Sequence, residues 1–361
     1  MTAQARPPAF GEPAPWFRAK ALSGNDGYAF DSAAGRAILL LFLGTASQSA
    51  SAGALSLVAA QRSLFDDERG CFFGVTIDPE DENQGRIAQH LPGIRFFLDY
   101  DRRVSLLYGV SEGDRYTPGW LVLDPQLRVA GRFAIGEGEA AIACYAAHAN
   151  EPRNELWAPV LLAPRVFEPE LCQHLIDQYE ATGGEESGFM REVGGKTVGI
   201  LDPAHKCRAD MTIESEELRR ALMVRIHDRL IPMIERAFQF RATRMERYIV
   251  ACYDSAAGGH FRAHRDNTTK GTAHRRFAVS INLNVGEYEG GKLCFPEFGP
   301  RRYCPPTGGA IVFSCSLLHE ARPVTRGRRY AFLPFFYDEA GARQREANNA
   351  YLHENVGAYR G

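Results

Sequence analysis

The chain has 361 residues, 45% apolar and 24% charged, with a formal net charge of -2 at pH 7. That length predicts two domains, and the composition is that of an ordinary globular protein. The near-neutral balance argues against nucleic acid or an anionic membrane as an obligatory partner. The eight cysteines (71, 144, 172, 207, 252, 294, 304 and 315) are dispersed without a CxxC pair. Most lie in apolar runs and read as buried free thiols rather than a disulfide framework. The opening MTAQARPPAFGEPAPWF lacks the charged start and apolar core of a signal peptide. The apolar run Ala37 to Leu43 is too short to span a bilayer, so a cytoplasmic location is expected.

In chain order, Ala37 to Leu43 predicts a strand, GTASQSASAG a small-residue turn, and Leu55 to Phe65 a helix. A strand over Cys71 to Ile77, a helix over roughly Glu82 to His90 and a short strand at Ile94 to Leu98 follow. Then come a helical turn at Arg102 to Tyr108, strands at Trp120 to Leu123 and Arg128 to Phe133, and a helix over Gly138 to Ala147. Strands alternating with helices predict an α/β layer containing parallel strands.

This element order, with Pro118 before the late strand, resembles the thioredoxin-like fold of the peroxiredoxins over roughly residues 14 to 148. Peroxiredoxins carry Pro-xxx-Thr-xx-Cys after the first long strand. Here Gly44, Gln48 and Ser51 stand at the Pro, Thr and Cys positions. A serine hydroxyl cannot supply the low-pKa thiolate of peroxide chemistry, so a docking or scaffold role is expected in place of a peroxidase.

Residues 1–150 are therefore read as a first domain, the polar stretch Glu151 to Glu155 as a linker, and 157–361 as a second domain. In the second, VLLAPRVF predicts a strand and Glu168-Pro169-Glu170 starts a helix. TGGEESGFMREVGGK predicts a loop, and Glu216 to Phe238 one amphipathic helix with apolar residues every four positions from Leu218. From Arg244 onward the chain becomes short apolar runs between turns: YIVACY, RRFAVSINLN, GKLCFP, RRYCPP, GAIVFSCS and RRYAFLPFFY. That pattern predicts an antiparallel sandwich or barrel with the preceding helices packed on one side. Glu339 to Tyr359 reads as a solvated helix at a domain or subunit boundary.

Within this β-region, His264 and Asp266 are two residues apart and point the same way on an extended chain. His319, 55 residues beyond His264, is the candidate third member. Two neutral imidazoles and one carboxylate leave a divalent iron with three open positions, whereas structural zinc is closed by four ligands, usually with thiolates. As a bare pattern the triad is weak, because ten histidines make chance matches easy. It is strengthened by Arg329, ten positions past His319 in PVTRGRRYAF, where a turn at Gly327 is expected to return the chain as a hairpin. A buried arginine there needs an anion, and a dicarboxylate cosubstrate would provide one.

The segment from Tyr248 to Tyr337 resembles the Fe(II)/2-oxoglutarate-dependent dioxygenases of the prolyl 4-hydroxylase-like group. The pieces that carry the resemblance are VACY, His264-x-Asp266-Asn267, SINLN, EGGKLCFPEFG, GGAIVFSCSLLHE and PVTRGRRYAF, in order at compatible spacings. Over residues 160 to 340 it implies a double-stranded β-helix, with His264, Asp266 and His319 as iron ligands. It further implies Arg329 on the distal carboxylate of 2-oxoglutarate, Tyr253 hydrogen-bonding the cosubstrate, and Asn282 facing it. Fe(II), 2-oxoglutarate and O2 are the implied cofactors, with ascorbate as an optional addition. The loop from Tyr253 to His264 is one residue longer than in related enzymes, which changes how His260 and Phe261 meet the pocket. The polar insertion NTTKGTAHRRF is placed to touch substrate, and His274 within it is a loop residue rather than a ligand.

The resemblance implies hydroxylation of an unactivated C–H bond, and the presence of Asp266, absent from related halogenases, favours it. The substrate is a prolyl or other protein side chain, a free amino acid or a small metabolite. The alternative is a redox- or oxygen-sensing or interaction module whose iron site turns over no dedicated substrate. A homo-oligomer is an open expectation, and neither nucleic acid nor membrane is an expected partner.

Overall fold

The computed structural model describes residues 6–24, 26–152 and 156–356. Residues 153–155 of the expected linker, 1–5 of the Pro-rich lead and 357–359 of the expected C-terminal helix lie outside the described residues. The chain forms two compact units, Met1–Glu155 with Pro296–Gly299, and Leu156–Phe295 with Pro300–Gly361. Among the described residues no helix is long and apolar enough to cross a membrane.

In the first unit, β1 (Ala37–Gly44) is buried at every residue. It lies parallel to β2 (Gly70–Thr76), which lies parallel to β3 (Ile94–Leu98). On its other side β1 pairs antiparallel with β4 (Gly119–Leu123), and β4 with β5 (Val129–Ala134). The sheet order is thus β3-β2-β1-β4-β5. A central strand covered on both faces needs the unbroken apolar run AILLLFL, since neither side of its pleat meets water. Leu39, Leu41, Phe72, Trp120 and Val122 form a core with Ala54 and Val58 of α1 (Ser49–Ala60) and Ala141 and Tyr145 of α4 (Gly138–Asn150).

Two helices differ from expectation. Only the first half of the small-residue stretch after β1 is a turn, at residues 45–48: α1 begins at Ser49 and ends at Ala60, because Ser51, Ala54 and Val58 supply its buried face. The expected helix at 82–90 is instead α2 (Pro79–Asn83), capped by the Asp78 side chain accepting from Glu80 N and closed just beyond by Gly85 at φ 63°. α3 (Arg103–Leu107) falls where expected. Ser51 is fully buried and its Oγ donates to Leu43 O at 2.7 Å. Burial pushes the Cys71 thiol up to about 12 and also raises that of Cys144, so neither cysteine of this unit is prepared as a thiolate. The loop after β1 is locked by the buried Asp81 carboxylate, which accepts from Ala46 N at 2.9 Å and Thr76 Oγ1 at 2.6 Å.

The second unit opens with β6 (Leu161–Ala163), shorter than the expected strand because Arg165 at φ 57° turns the chain. α5 (Pro169–Thr182) follows. The expected loop at 182–196 contains β7 (Phe189–Val193), paired with β8 (Lys196–Ile200) across Gly194-Gly195. Both glycines have positive φ, 56° and 77°, the geometry of a tight hairpin turn. β9 (Lys206–Cys207) and β10 (Ala209–Thr212) come next. The expected single helix at 216–238 is two, α6 (Glu216–Arg229) and α7 (Ile231–Phe238). Pro232 lacks the N–H that a continuous helix would need, and it sits in the first turn of α7.

Eight strands then build two facing sheets: β11 (Ile249–Asp254), β12 (His260–His264), β13 (Phe277–Asn282), β14 (Leu293–Cys294), β15 (Arg302–Tyr303), β16 (Ala310–Ser314), β17 (His319–Ala321) and β18 (Arg328–Phe332). The larger sheet contains the order β6-β16-β13-β18-β11-β10, and the smaller β9-β12-β17-β14-β15. Apart from the β14-β15 pair, successive strands of the eight alternate between the sheets, which makes this unit a double-stranded β-helix. Leu175, Leu222, Ile226 and Ile234 of the helices pack on Val250, Val279, Val312 and Phe332 of the larger sheet.

The expected hairpin from His319 to Tyr330 does not form. β17 pairs with β12 and β14, whereas β18 pairs with β11 and β13. Gly327, at φ 73°, lies where the chain passes from one pairing partner to the next. The C-terminal helix α8 (Glu339–Ala347) is not wholly solvated, since Arg345 Nη2 reaches the buried Glu246 at 2.8 Å.

Candidate metal centre and cosubstrate pocket

The strand pairing explains how residues 55 positions apart meet. His264 ends β12 and His319 begins β17, and the two are register partners across these antiparallel strands. Facing side chains at such a pair lie within contact distance. Asp266 is held two residues on by its backbone N donating to Cys315 O at 2.9 Å. Its carboxylate oxygens lie 3.5 Å from His264 Nε2 and 3.3 Å from His319 Nε2. One ligand atom from each of the three residues falls within 4.8 Å of the others.

Both rings are oriented the same way. His264 Nδ1 meets Arg262 O at 2.7 Å and His319 Nδ1 meets Leu317 O at 3.0 Å. A carbonyl can only accept, so each Nδ1 carries the proton and each Nε2 lone pair points at the carboxylate, the tautomer a metal ligand needs. Burial, then the neighbouring His264, push the His319 imidazole down to about 4, which keeps it neutral. Burial opposes ionisation of Asp266, yet positive charge placed at the His319 and His264 nitrogens, as a bound cation would place it, and the Arg275 guanidinium hold its carboxyl well below the usual range. Phe261 stacks on His264 with ring centroids 3.4 Å apart, fixing that ring. Two neutral imidazoles and an ionised carboxylate with no thiolate among them fit a divalent iron.

One cavity is lined by His264, Asp266, His319, Tyr253, Ser280 and Arg329. Arg329 is 2% exposed, and its Nη2 donates to Ser280 Oγ at 2.9 Å and Asn282 Oδ1 at 3.2 Å. Among the described residues no carboxylate pairs with it, so its fork is open to an anionic ligand. Its stem passes Gly291, where a Cβ would lie 2.9 Å from Arg329 Cδ. Tyr253 is the register partner of Arg329, whose guanidinium sits 5.1 Å from the ring centroid. The Tyr253 hydroxyl accepts from Arg208 Nη1 at 3.3 Å, which leaves its proton available to the cavity.

The structure places the remaining expected residues differently. Asn282 orients Arg329 and donates to Pro305 O at 2.7 Å, so it acts on the guanidinium rather than as a wall of the cavity. Phe261 lines the cavity, whereas His260 turns to Gly258 O and Ala204 O. His274 and Arg275, from the insertion expected to touch substrate, turn inward to Glu246 at 3.1 and 2.5 Å.

Ser280, Arg208, Arg247 and Lys206 were not anticipated. Ser280 was discoverable, because it lies two residues from Asn282 on the same strand face. Lys206, Arg208 and Asp210 likewise recur with period two in KCRAD. Burial pushes the Lys206 ammonium down to about 6. Its Nζ donates to Ser187 Oγ at 2.6 Å and lies 5.1 Å from the Phe261 ring centroid. Between about pH 6 and the ordinary lysine value near 10.4, the unfolded chain binds a proton that the folded chain does not, so stability rises with pH across that window. Lys206→Met is expected to remove that rise and to stabilise the protein at pH 7 by about 1–3 kcal/mol. Thermal unfolding of both proteins from pH 7 to 9 checks this, and parallel Tm profiles would refute it.

The second unit is thus a double-stranded β-helix carrying a two-histidine, one-carboxylate triad beside a cavity with a buried arginine. Residues 248–337 match the 2OG-Fe(II) oxygenase superfamily. A PKHD-type hydroxylase of Verminephrobacter eiseniae is 32% identical over 133 residues, covering 34% of this chain and 58% of that protein. One from Pseudomonas fluorescens is 36% identical over 118 residues, covering 30% and 50%. The chain spans about half the length of the curated relatives it matches. Among solved structures, a prolyl hydroxylase from Trichoplax adhaerens, in complex with a hypoxia inducible factor peptide, is 16% identical with a TM-score of 0.40, covering 52% of this chain and 86% of that one.

Proposed function

We propose that the second unit is an Fe(II)- and 2-oxoglutarate-dependent oxygenase that hydroxylates an unactivated C–H bond. The observation that carries this is the triad: register-paired histidines with both Nδ1 atoms tied to carbonyls and both Nε2 atoms turned to one carboxylate. Bound iron and 2-oxoglutarate would supply the oxidation of a C–H bond by O2. His264, Asp266 and His319 would hold the iron, and Arg329, steadied by Ser280 and Asn282, would grip the distal carboxylate of 2-oxoglutarate. Tyr253 has a hydroxyl proton to donate to that cosubstrate. Phe261, Leu293 and Phe313 line the same cavity with apolar surface, which excludes water from the reacting groups.

The first unit is read as thioredoxin-like, from its sheet order with β1, β2 and β3 parallel, and as lacking peroxidase chemistry. Its buried Ser51 and its two elevated thiols support that reading. The test is anaerobic titration of the full chain with Fe(II) and then 2-oxoglutarate, followed in the visible. A charge-transfer band that saturates at one cosubstrate per chain is the expected result. Bound iron without that band, at millimolar 2-oxoglutarate, would rule the reading out.

A further inference from the structure

Beyond the triad and Arg329, the cavity wall carries two more guanidiniums, Arg208 and Arg247. Both reach the same oxygen of one carboxylate: Asp210 Oδ2 lies 2.6 Å from Arg208 Nη2 and 3.2 Å from Arg247 Nη2. Asp210 Oδ1 and Arg208 Nε are buried without a hydrogen-bond partner among the described residues. The other cation of the cluster, Lys206, is held toward its neutral form, and Glu246 is already paired with Arg275 and Arg345. Around Arg247 fixed positive charge therefore exceeds negative: Arg208 and Arg247 share the one carboxylate of Asp210, and Arg275 and Arg345 share that of Glu246. Arg329 does not add to that excess, since its own charge answers the distal carboxylate of the cosubstrate.

Arg247 also has an unusual backbone. It sits at φ 71°, a left-handed conformation that side-chain-bearing residues rarely adopt, and among the described residues it is the only one lining the cavity that does so. That conformation aims a guanidinium 5.3 Å over the Phe335 ring at the cavity. Its side chain remains 29% exposed, and its contact with Asp210 uses one of five N–H donors.

We infer that Arg247, backed by Arg208 and Asp210, is a receptor for a carboxylate on the primary substrate, so that the substrate is a small molecule with a free carboxylate, of the amino-acid class, rather than an internal residue of a polypeptide. The planar fork of an arginine suits a carboxylate held by two parallel bonds. This inference rests on the oxygenase reading above and deepens it.

The test uses the full chain loaded with Mn(II), which binds without turnover, and 2-oxoglutarate. The twenty free amino acids and their primary amides are titrated calorimetrically, and succinate release is measured in parallel with Fe(II). At least one amino acid is expected to bind about 10- to 100-fold more tightly than its amide, the worth of a charge-assisted hydrogen bond. Arg247→Gln is expected to bring the acid to the affinity of the amide, and Arg247→Lys to recover part of the difference, with the Kd for 2-oxoglutarate unchanged in both. Amides that bind as well as acids, or no amino acid binding while 2-oxoglutarate still binds, overturns the inference on the wild-type chain alone, whether or not the variants fold. Failure of 2-oxoglutarate itself to bind would instead count against the oxygenase reading.

Discussion

Asp266→Ala is expected to abolish iron binding at micromolar metal and to lower succinate formation by about 10³-fold. Asp266 supplies the only negative charge among the three triad side chains, and both histidines are tethered through Nδ1 so that their lone pairs converge on it. Removing it leaves two neutral donors, too few to hold a divalent ion against water. A bound metal contributes several kcal/mol of stabilisation to a transition state, and each 1.36 kcal/mol is tenfold in rate. The fold should survive. The histidines left behind are not charges in need of a partner, and the loop stays pinned by Asp266 N to Cys315 O whatever the side chain. Asp266→Asn separates charge from shape and should behave as Ala does. Metal content after desalting and succinate yield decide the matter. An alanine variant that retains iron and turnover would mean that the triad is structural.

Legibility in the sequence followed the strength of the physical signal. The central strand of the first unit and six of the eight strands of the second were marked by apolar runs between Gly and Pro turns; β12 (HFRAH) and β17 (HEA), which carry the histidines, are too polar to give that signal. α1 was misplaced because its buried face is Ser51, Ala54 and Val58, residues too small to give the usual apolar period. The hairpin of β7 and β8 was mistaken for loop because its residues are exposed and polar, although Gly194-Gly195 between two five-residue segments was a usable turn signal. Pro232 within an otherwise continuous helical period should have divided the helix at 216–238.

At the site, His264 and Asp266 were legible from spacing because both lie on one short segment, and His319 from its place at the end of an apolar strand. The partnering of β17 and β18 was not legible. A turn glycine at 327 predicts a hairpin on local grounds, and only the global alternation between sheets sends the two strands to different partners. Arg329 consequently reaches the cavity from the larger sheet, beside Tyr253, rather than by folding back on His319. Arg247 was invisible for a different reason. A left-handed φ on an arginine leaves no mark on composition or period, and its effect is to aim a side chain.

Arg329→Met is the second change with a large expected effect, and it separates the cosubstrate from the metal. The guanidinium is buried, with two neutral acceptors, Ser280 and Asn282, and no carboxylate within reach among the described residues. Its stem threads past a glycine that has no room for a Cβ. Removing one member of a buried charge pair costs about 2–5 kcal/mol. The Kd for 2-oxoglutarate should therefore rise by about 10²- to 10³-fold. Iron affinity measured without 2-oxoglutarate should not move, because Arg329 touches no member of the triad. Arg329→Lys restores the charge but not the fork, and should recover only part of the loss. Asn282→Ala removes one acceptor from the guanidinium and should weaken 2-oxoglutarate by about tenfold, through Arg329 rather than by a lost contact of its own. A double-mutant cycle is the direct check: in the Arg329→Met background, Asn282→Ala should have no further effect on 2-oxoglutarate. Additive losses would show that Asn282 meets the cosubstrate itself, and an unchanged Kd in Arg329→Met would place the distal carboxylate elsewhere in the cavity.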